Sequence, residues 1–395
     1  MSNNLYKHHG GNFRSYSTKR TTSRRPKKDY INPSNFVQLA TAESAIEYQA
    51  QHQFSDFQLH PLIHRNLASL GYTDPTPIQD QTIAHALDGK DIVGLANTGT
   101  GKTAAFAVPI LHQLITHPDK RAIILAPTRE LAQQIDEQCR KIASGSGLNG
   151  ALLIGGLGIG PQLRDLRNKP RIVIGTPGRI KDHMERKSLD ILRYNIVVLD
   201  EVDRMLDMGF VHDIKHILSK TSPVKQSFYF SATLDAKVKA IIEGFSISPL
   251  QVSVINSTSN SNVEQNIVAY RHPSEKIHKL DELLKQDNVN KALVFDDTHR
   301  SVEKLSHELS IRGFATDSIH GGKSQSQRQR VLSQFRNNQI NVLVATDVAA
   351  RGLDVSDITH VINYSSPQTY DDYIHRIGRT GRAGQIGHAL TFVEQ

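Results

Sequence analysis

The sequence predicts an α/β protein made of two parallel sheets in tandem, each covered by helices on both faces. Three observations carry this. Short apolar runs (91–95, 121–126, 152–154, 171–175, 196–199 and 227–230, then 292–295, 316–319, 342–345 and 389–393) alternate with helical patterns in both halves, and such alternation builds parallel sheets. A Ser/Asn-rich patch, Asn256-Ser-Thr-Ser-Asn-Ser-Asn262, divides the halves as flexible linkers do. The 395 residues suit two domains of roughly 150 residues each. The expected division is a disordered basic tail over 1–50, a first domain over 51–250, a linker over 251–262 and a second domain over 263–395.

Composition narrows the class. Hydrophobic residues make up 38% and there is no Trp, so the cores should be aliphatic. No run approaches the ~20 apolar residues of a membrane span, and the polar, basic N-terminus has no apolar signal segment. The single cysteine, Cys139, excludes an internal disulfide framework and a cysteine-built zinc site and suits a reducing cytoplasm. It falls in a helical pattern, as a small packed side chain does. The histidines are scattered along the chain. Residues 1–30 carry eight Lys or Arg against Asp29 alone, so much of the net charge of +8 belongs to the tail. Such a tail is either an arm for phosphate backbones or a solvated leader.

Taken in order, the first ordered stretch is 54–59, followed by a helical pattern through Ile63, Leu67 and Leu70. Then comes Gly71-Tyr-Thr-Asp-Pro-Thr-Pro-Ile-Gln79, where two prolines set a turn before Gln79. A Gln carboxamide matches the donor–acceptor edge of adenine, and the ring of Phe54 can stack on a base. The strand-like run 91–95 then leads into Ala96, Asn97, Thr98, Gly99, Thr100, Gly101, Lys102 and Thr103, and a helix follows. Strand, glycine-rich turn and helix make a phosphate cradle. The glycines let backbone N–H groups converge and the helix N-terminus adds its dipole. Lys102 reaches the β- and γ-phosphates, and the Thr103 hydroxyl can ligate Mg²⁺.

Three further strand ends carry Gly, Thr or Arg: Pro127-Thr-Arg-Glu-Leu-Ala132, with Arg129 and a helix cap at Thr128; Gly155-Gly156; and Thr176-Pro-Gly-Arg179. Lying at the carboxyl ends of strands, such groups suit a sugar-phosphate chain, although each alone is ordinary turn chemistry. Strand 196–199 runs into Asp200-Glu-Val-Asp203. Asp200 can hold hydrated Mg²⁺ beside the loop, and Glu201 can orient and deprotonate a water. The alternative is an acidic helix cap at the surface. After strand 227–230, Ser231 and Thr233 could bond this acidic cluster and sense its state.

These segments resemble the DEAD-box RNA helicases of superfamily 2, and bacterial members with a minimal core in particular. The resemblance spans about 54–395. One departure is Val202, where the family usually has Ala; another is the acidic pair Asp296 and Asp297, which a solvated loop or helix cap also explains. The resemblance implies two RecA-like domains, ATP and Mg²⁺ as cofactors, and ATP-driven local unwinding of short RNA duplexes by a cytoplasmic monomer. It places RNA against Arg129, Gly156, Thr176 and Arg179 in the first domain. In the second it implies contact with the RNA backbone for the helix bearing Gln327 and Arg330, which stand at i, i+3 on one face. Thr346 and Gly352 are implied at RNA or the water network, and Asp354 at the ribose. His375 is implied as a bridge between domains near the hydroxyls of Ser231 and Thr233. Arg379 and Arg382, three apart in His375-Arg-Ile-Gly-Arg-Thr-Gly-Arg382, could share one helical face. Two guanidinium forks suit a γ-phosphate that gains charge. A basic RNA patch is the other reading; arginine fingers fit the family. Two rival functions remain at this point, an ATP-gated RNA clamp or annealer and a DNA-directed helicase.

Overall fold

A computed structural model describes residues 31–40, 48–97, 99–254, 262–350, 355, 357–381 and 385–395. The first sheet has seven strands: β1 (Ile92–Leu95), β2 (Ala122–Leu125), β3 (Gly150–Leu153), β4 (Ile172–Gly175), β5 (Ile196–Leu199), β6 (Gln226–Ser231) and β7 (Leu250–Ser253), in the order β3-β4-β2-β5-β6-β1-β7. The second has six: β8 (Val263–Tyr270), β9 (Ala292–Phe295), β10 (Thr316–Ile319), β11 (Val342–Ala345), β12 (His360–Asn363) and β13 (Gly387–Glu394), in the order β10-β11-β9-β12-β13-β8. Every recorded pairing within the sheets is parallel.

The reason is legible in the strands. β1, β2, β4 and β5 are buried at all four positions, so each reads as a continuous apolar run, as strands covered on both faces do. One face of the first sheet packs against helices Pro77–Leu87, Lys102–Thr116 and Arg129–Ile142, the other against Val202–Asp207, Val211–Lys220 and Ala236–Phe245. Cys139 is buried among the first group and its thiol is pushed up by burial. In the middle of β1, Gly94 faces its partner Phe230; a Cβ there would lie 2.5 Å from the ring. Gly94→Ala should therefore destabilise the first domain by about 1–3 kcal/mol through overpacking. A urea midpoint equal to that of the unaltered chain would contradict this.

Three expectations need correction here. Residues 250–253 are the edge strand β7 beside β1, so the first domain extends past 250; residues 255–261 of the expected linker lie outside the described residues. The tail is not irregular throughout: Pro33–Phe36 forms a 3₁₀ turn and Gln38 makes an antiparallel bridge to Gln265 of β8. A local reading of a Ser- and Asn-rich stretch cannot see a partner strand more than 200 residues away. Residues 1–30 and 41–47 lie outside the described residues. Finally, the helix expected to carry both Arg379 and Arg382 ends at Ile377, with Gly378 as its C-cap. Among the described residues, no helix is long and apolar enough to cross a membrane.

Candidate functional site

The loop after β1 is held at both ends. Ala96 N–H donates to Ser231 O at 3.0 Å, tying the loop to β6. Gly99 and Gly101 have φ of 89° and 92°, which only glycine adopts freely. Lys102, the first residue of helix Lys102–Thr116, is 6% exposed; its Nζ donates to Ala96 O at 3.1 Å. The ammonium thus lies across the loop, where incoming phosphate oxygens can replace one carbonyl. Thr103 follows on the first turn of the same helix. Thr98 lies outside the described residues.

Gln79 is placed differently from the expectation of a free carboxamide facing a base. Its Nε2 donates to Gly101 O at 3.0 Å, and its Oε1 accepts from Thr76 N–H at 3.0 Å. Both ends of the amide therefore engage protein backbone, and the residue braces the loop. A Cβ at Gly101 would sit 2.4 Å from Gln79 Nε2, so the glycine is needed for this brace as well as for its φ. Phe54 is buried edge-on against Phe57 and Tyr72, and it borders a surface cavity with Gln53, His64 and Thr73.

The acidic turn after β5 is buried at Asp200, Glu201 and Asp203, which overturns the alternative of an acidic cap at the surface. Glu201 is the N-cap of helix Val202–Asp207 with φ 52° and ψ 57°, a left-handed backbone that costs a non-glycine residue about 1–3 kcal/mol and clusters at functional sites. Asp203 links this turn to β6. Its Oδ2 accepts from the N–H groups of Ala232 (3.0 Å) and Thr233 (3.1 Å) and lies 3.4 Å from the Thr233 hydroxyl, while its own N–H donates to Ser231 Oγ at 3.3 Å. Ser231 and Thr233 thus meet the acidic cluster at Asp203.

Burial pushes the Asp200 carboxyl up to about 7; the Lys102 ammonium opposes the rise and Glu201 adds to it. The buried Asp200 carboxyl and the Thr103 hydroxyl are hard oxygen donors of the kind Mg²⁺ takes. Among the described residues no group of three or more His, Cys, Asp or Glu could hold a metal ion by itself.

A second cleft lies between the domains. It is lined by Arg129, Thr176 and Arg179 from the first and by Gly321, Arg328 and Val348 from the second. Gly156, with φ 78°, lies under Arg129, and a Cβ there would come within 2.1 Å of Nη1. The four candidate residues of the first domain are therefore brought together. At the end of β11, Thr346 Oγ1 is buried without a hydrogen-bond partner, an acceptor and donor in reserve.

Helix Gln325–Arg336 leaves the expected pair exposed and buries another. Gln327 and Arg330 are exposed, and Gln327 Oε1 accepts from Ser324 N–H at 2.9 Å as a cap. The buried pair is Gln325 and Arg328, which sequence reasoning passed over. Gln325 Nε2 donates to Glu130 Oε1 and Gln133 Oε1, each at 3.2 Å. Arg328 Nη2 lies 2.8 Å from Glu130 Oε2, off the hydrogen-bond axis, so this contact is chiefly one of charge. Both pairs read Gln-x-x-Arg, and only the helix's orientation separates them. Asp296 is buried and accepts from Asp297 N–H at 2.8 Å, so it is not a solvated loop residue; Thr298 is the helix cap.

Arg379 lines a third cleft with Arg204, Asp347, Asp372, His375 and Arg376. Arg204, three residues after Glu201, comes within 3.7 Å of Asp372 from the other domain. His375 thus stands at the domain junction, one residue beyond the Asp203 network through Arg204. Arg376 escaped notice in the sequence. It is buried, pairs with both oxygens of Asp347 (2.5 and 2.7 Å), and donates to Asn363 Oδ1 and Ser365 O, so it fixes the turn that carries Arg379. Gly352, Asp354 and Arg382 lie outside the described residues.

The DEAD/DEAH box helicase profile matches residues 76–241, and the helicase conserved C-terminal domain matches 275–384. The chain is 44% identical to the DEAD-box ATP-dependent RNA helicase CshA of Bacillus licheniformis over 86% of its own length and 70% of the relative's. It is 43% identical to the ATP-dependent RNA helicase CshA of Listeria monocytogenes, over 87% of its own length and 66% of the relative's. Among solved structures, Saccharomyces cerevisiae Dbp5 bound to RNA and ADP BeF3 aligns with a TM-score of 0.77 at 27% identity, covering 87% of this chain and 89% of that one.

Proposed function

The chain belongs to the DEAD-box family of ATP-dependent RNA helicases, and from that premise we propose that it hydrolyses ATP with Glu201 as base and Arg379 as cis-acting finger, and that RNA laid across both domains completes the site. One observation carries this reading most: a buried, strained Glu201 stands three residues from Arg204, which lines the same cleft as Arg379. The acid–base group comes from one domain and the charge-stabilising group from the other.

ATP places its β- and γ-phosphates against the N–H groups of residues 99–103 and against Lys102, which gives up its bond to Ala96 O. Phe54 and the Gln79 region border the base. Asp200 and Thr103 would hold Mg²⁺, which neutralises charge on the bridging phosphates when bound. Glu201 orients a water and takes its proton as the water oxygen bonds to the γ-phosphorus. The bond from that phosphorus to the β,γ-bridging oxygen breaks, and its electron pair leaves with ADP. Arg379 meets the charge spread over the equatorial oxygens. Arg376 holds that turn, so the finger arrives with little reorganisation.

RNA is bound through its backbone, by Arg129, Thr176 and Arg179, the close approach allowed at Gly156, and the unpaired hydroxyl of Thr346. Gln327 and Arg330 lie on the exposed face and extend the track. Sequence preference should be low, because phosphate and sugar carry no sequence information. Asp203, with Ser231 and Thr233, ties the acidic turn to β6, and His375 with Arg204 carries its state to the second domain. The same reading makes the protein a monomer acting in the cytoplasm with Mg²⁺. RNA-stimulated ATPase measured beside DNA, with displacement of a short RNA duplex, tests the proposal. ATPase indifferent to RNA would overturn it; binding and annealing without displacement would favour the clamp.

The basic tail gives a further expectation. If residues 1–30 touch phosphates, their removal should flatten the fall of RNA affinity with salt, by up to about one slope unit per lost contact. Titrations over a range of salt concentrations measure this; an unchanged slope would show that the tail stays off RNA.

A further inference from the structure

The segment ahead of the first domain touches both domains. Phe36 is 3% exposed, its ring 4.7 Å from that of Tyr373, in a cluster with Val263, Ile377 and Ala389 of the second domain. Gln38 and Gln265 exchange backbone hydrogen bonds at 2.9 and 2.8 Å, and Gln265 Nε2 donates to Gln38 Oε1 at 3.0 Å. Tyr373 OH donates to the other end of that amide, Gln265 Oε1, at 2.8 Å. Ten residues further along the chain, the segment is held by the first domain instead. Tyr48 OH and Gln51 N–H donate to Asp80 Oδ2 at 2.6 and 2.8 Å, and His52 Nδ1 lies 2.7 Å from Asp80 Oδ1.

The two anchor points border the divided site. Asp80 is the neighbour of Gln79, which braces the phosphate loop. Tyr373 and Ile377 sit on helix Tyr370–Ile377, whose end carries Arg379. Two connections at different points leave the two domains fewer relative motions than one. Ten residues span at most about 33–36 Å, so this crossing also bounds how far the anchors can part. It raises the effective concentration of one half-site at the other without any contact to ATP.

We propose that the N-terminal segment, anchored by residues 31–38 on the second domain and 48–52 on the first, is a strap that limits how far the two domains can part. Phe36 and Asp80 are then positioning residues for ATP hydrolysis. The rate effect rests on the proposed function above, while the restraint on motion does not.

The test uses the full chain labelled for energy transfer at L192C and I311C, one exposed site in each domain; Cys139 is buried and resists labelling. F36D, D80A and the double variant are compared, with F36L as the conservative control. In the nucleotide-free state each single variant should broaden the distribution of interdomain distances, and the double should add nothing, because either change releases the same strap. In ATPase assays, the apparent KM for ATP should rise about tenfold, the scale of one lost aromatic anchor. The value of kcat at saturating ATP and RNA should stay within about twofold. F36L should restore the KM. A chain beginning at residue 48 removes the anchor without placing a charge in the core and should match F36D. Unchanged distances in that shortened chain, or additive effects in the double variant, would overturn the strap. Broadened distances in an enzyme that RNA does not stimulate would keep the strap and overturn the helicase reading.

Discussion

A Glu201→Gln chain is expected to bind ATP and RNA as the unaltered chain does and to hydrolyse ATP about 10²–10⁴-fold more slowly. The substitution keeps volume and shape, and Gln meets the same left-handed backbone at φ 52°, so the turn after β5 should survive. What is lost is the ability to accept a proton. Asp200 and the ties from Asp203 to Ser231 and Thr233 do not depend on the Glu201 carboxylate, so binding and coupling should persist. Single-turnover phosphate release alongside equilibrium binding measures both halves of the claim. Hydrolysis at the unaltered rate would remove Glu201 from its role as base. Loss of ATP binding as well would mean that the carboxylate serves the fold.

Arg379→Ala should lower kcat about 10³–10⁵-fold, the range over which arginine fingers act, with ATP affinity changed little. Arg379 lies beyond the end of helix Tyr370–Ile377, on a turn fixed by Arg376 and its bidentate pairing with Asp347. Removing the Arg379 side chain therefore leaves its support in place. Arg379→Lys should recover only part of the loss, because an ammonium carries the charge without the planar fork. Steady-state kcat with RNA at saturation, set against nucleotide affinity, reads the effect. A loss smaller than about tenfold would transfer the finger role elsewhere, and Arg382 is then the first residue to substitute.

Much of this was legible along the chain. The strands at 92–95, 122–125, 172–175 and 196–199 are uniformly apolar because both faces are covered, and that burial leaves its mark residue by residue. The phosphate loop was legible because glycine, lysine and threonine act there through their own backbone and their nearest neighbours. The acidic turn was legible as chemistry, though its burial and the strain at Glu201 were not.

Other features depend on a partner far along the chain. The Gln-x-x-Arg spacing occurs in two phases on helix Gln325–Arg336, and only the position of Glu130 on the other domain selects Gln325 and Arg328 for burial. Phe36 stands in a polar stretch that local composition marks as irregular, and its place is decided by Tyr373 and by the open edge of β8. Gln79 has the right amide for a base, yet the nearby loop carbonyl of Gly101 claims its donor. Gly378 ended a helix that periodicity would have carried through to Arg382.

By itself, then, the sequence determined the alternation of strands and helices, the loop that takes a triphosphate and the carboxylates beside it. All of these follow from side-chain periods and backbone freedom within a few residues. Which face of a helix meets the other domain, how Gln79 is engaged, and that the N-terminal segment touches both domains follow from contacts between distant parts of the chain. Those outcomes turn on which group removes water from which other, and groups distant in the chain settle that only once they are folded against one another.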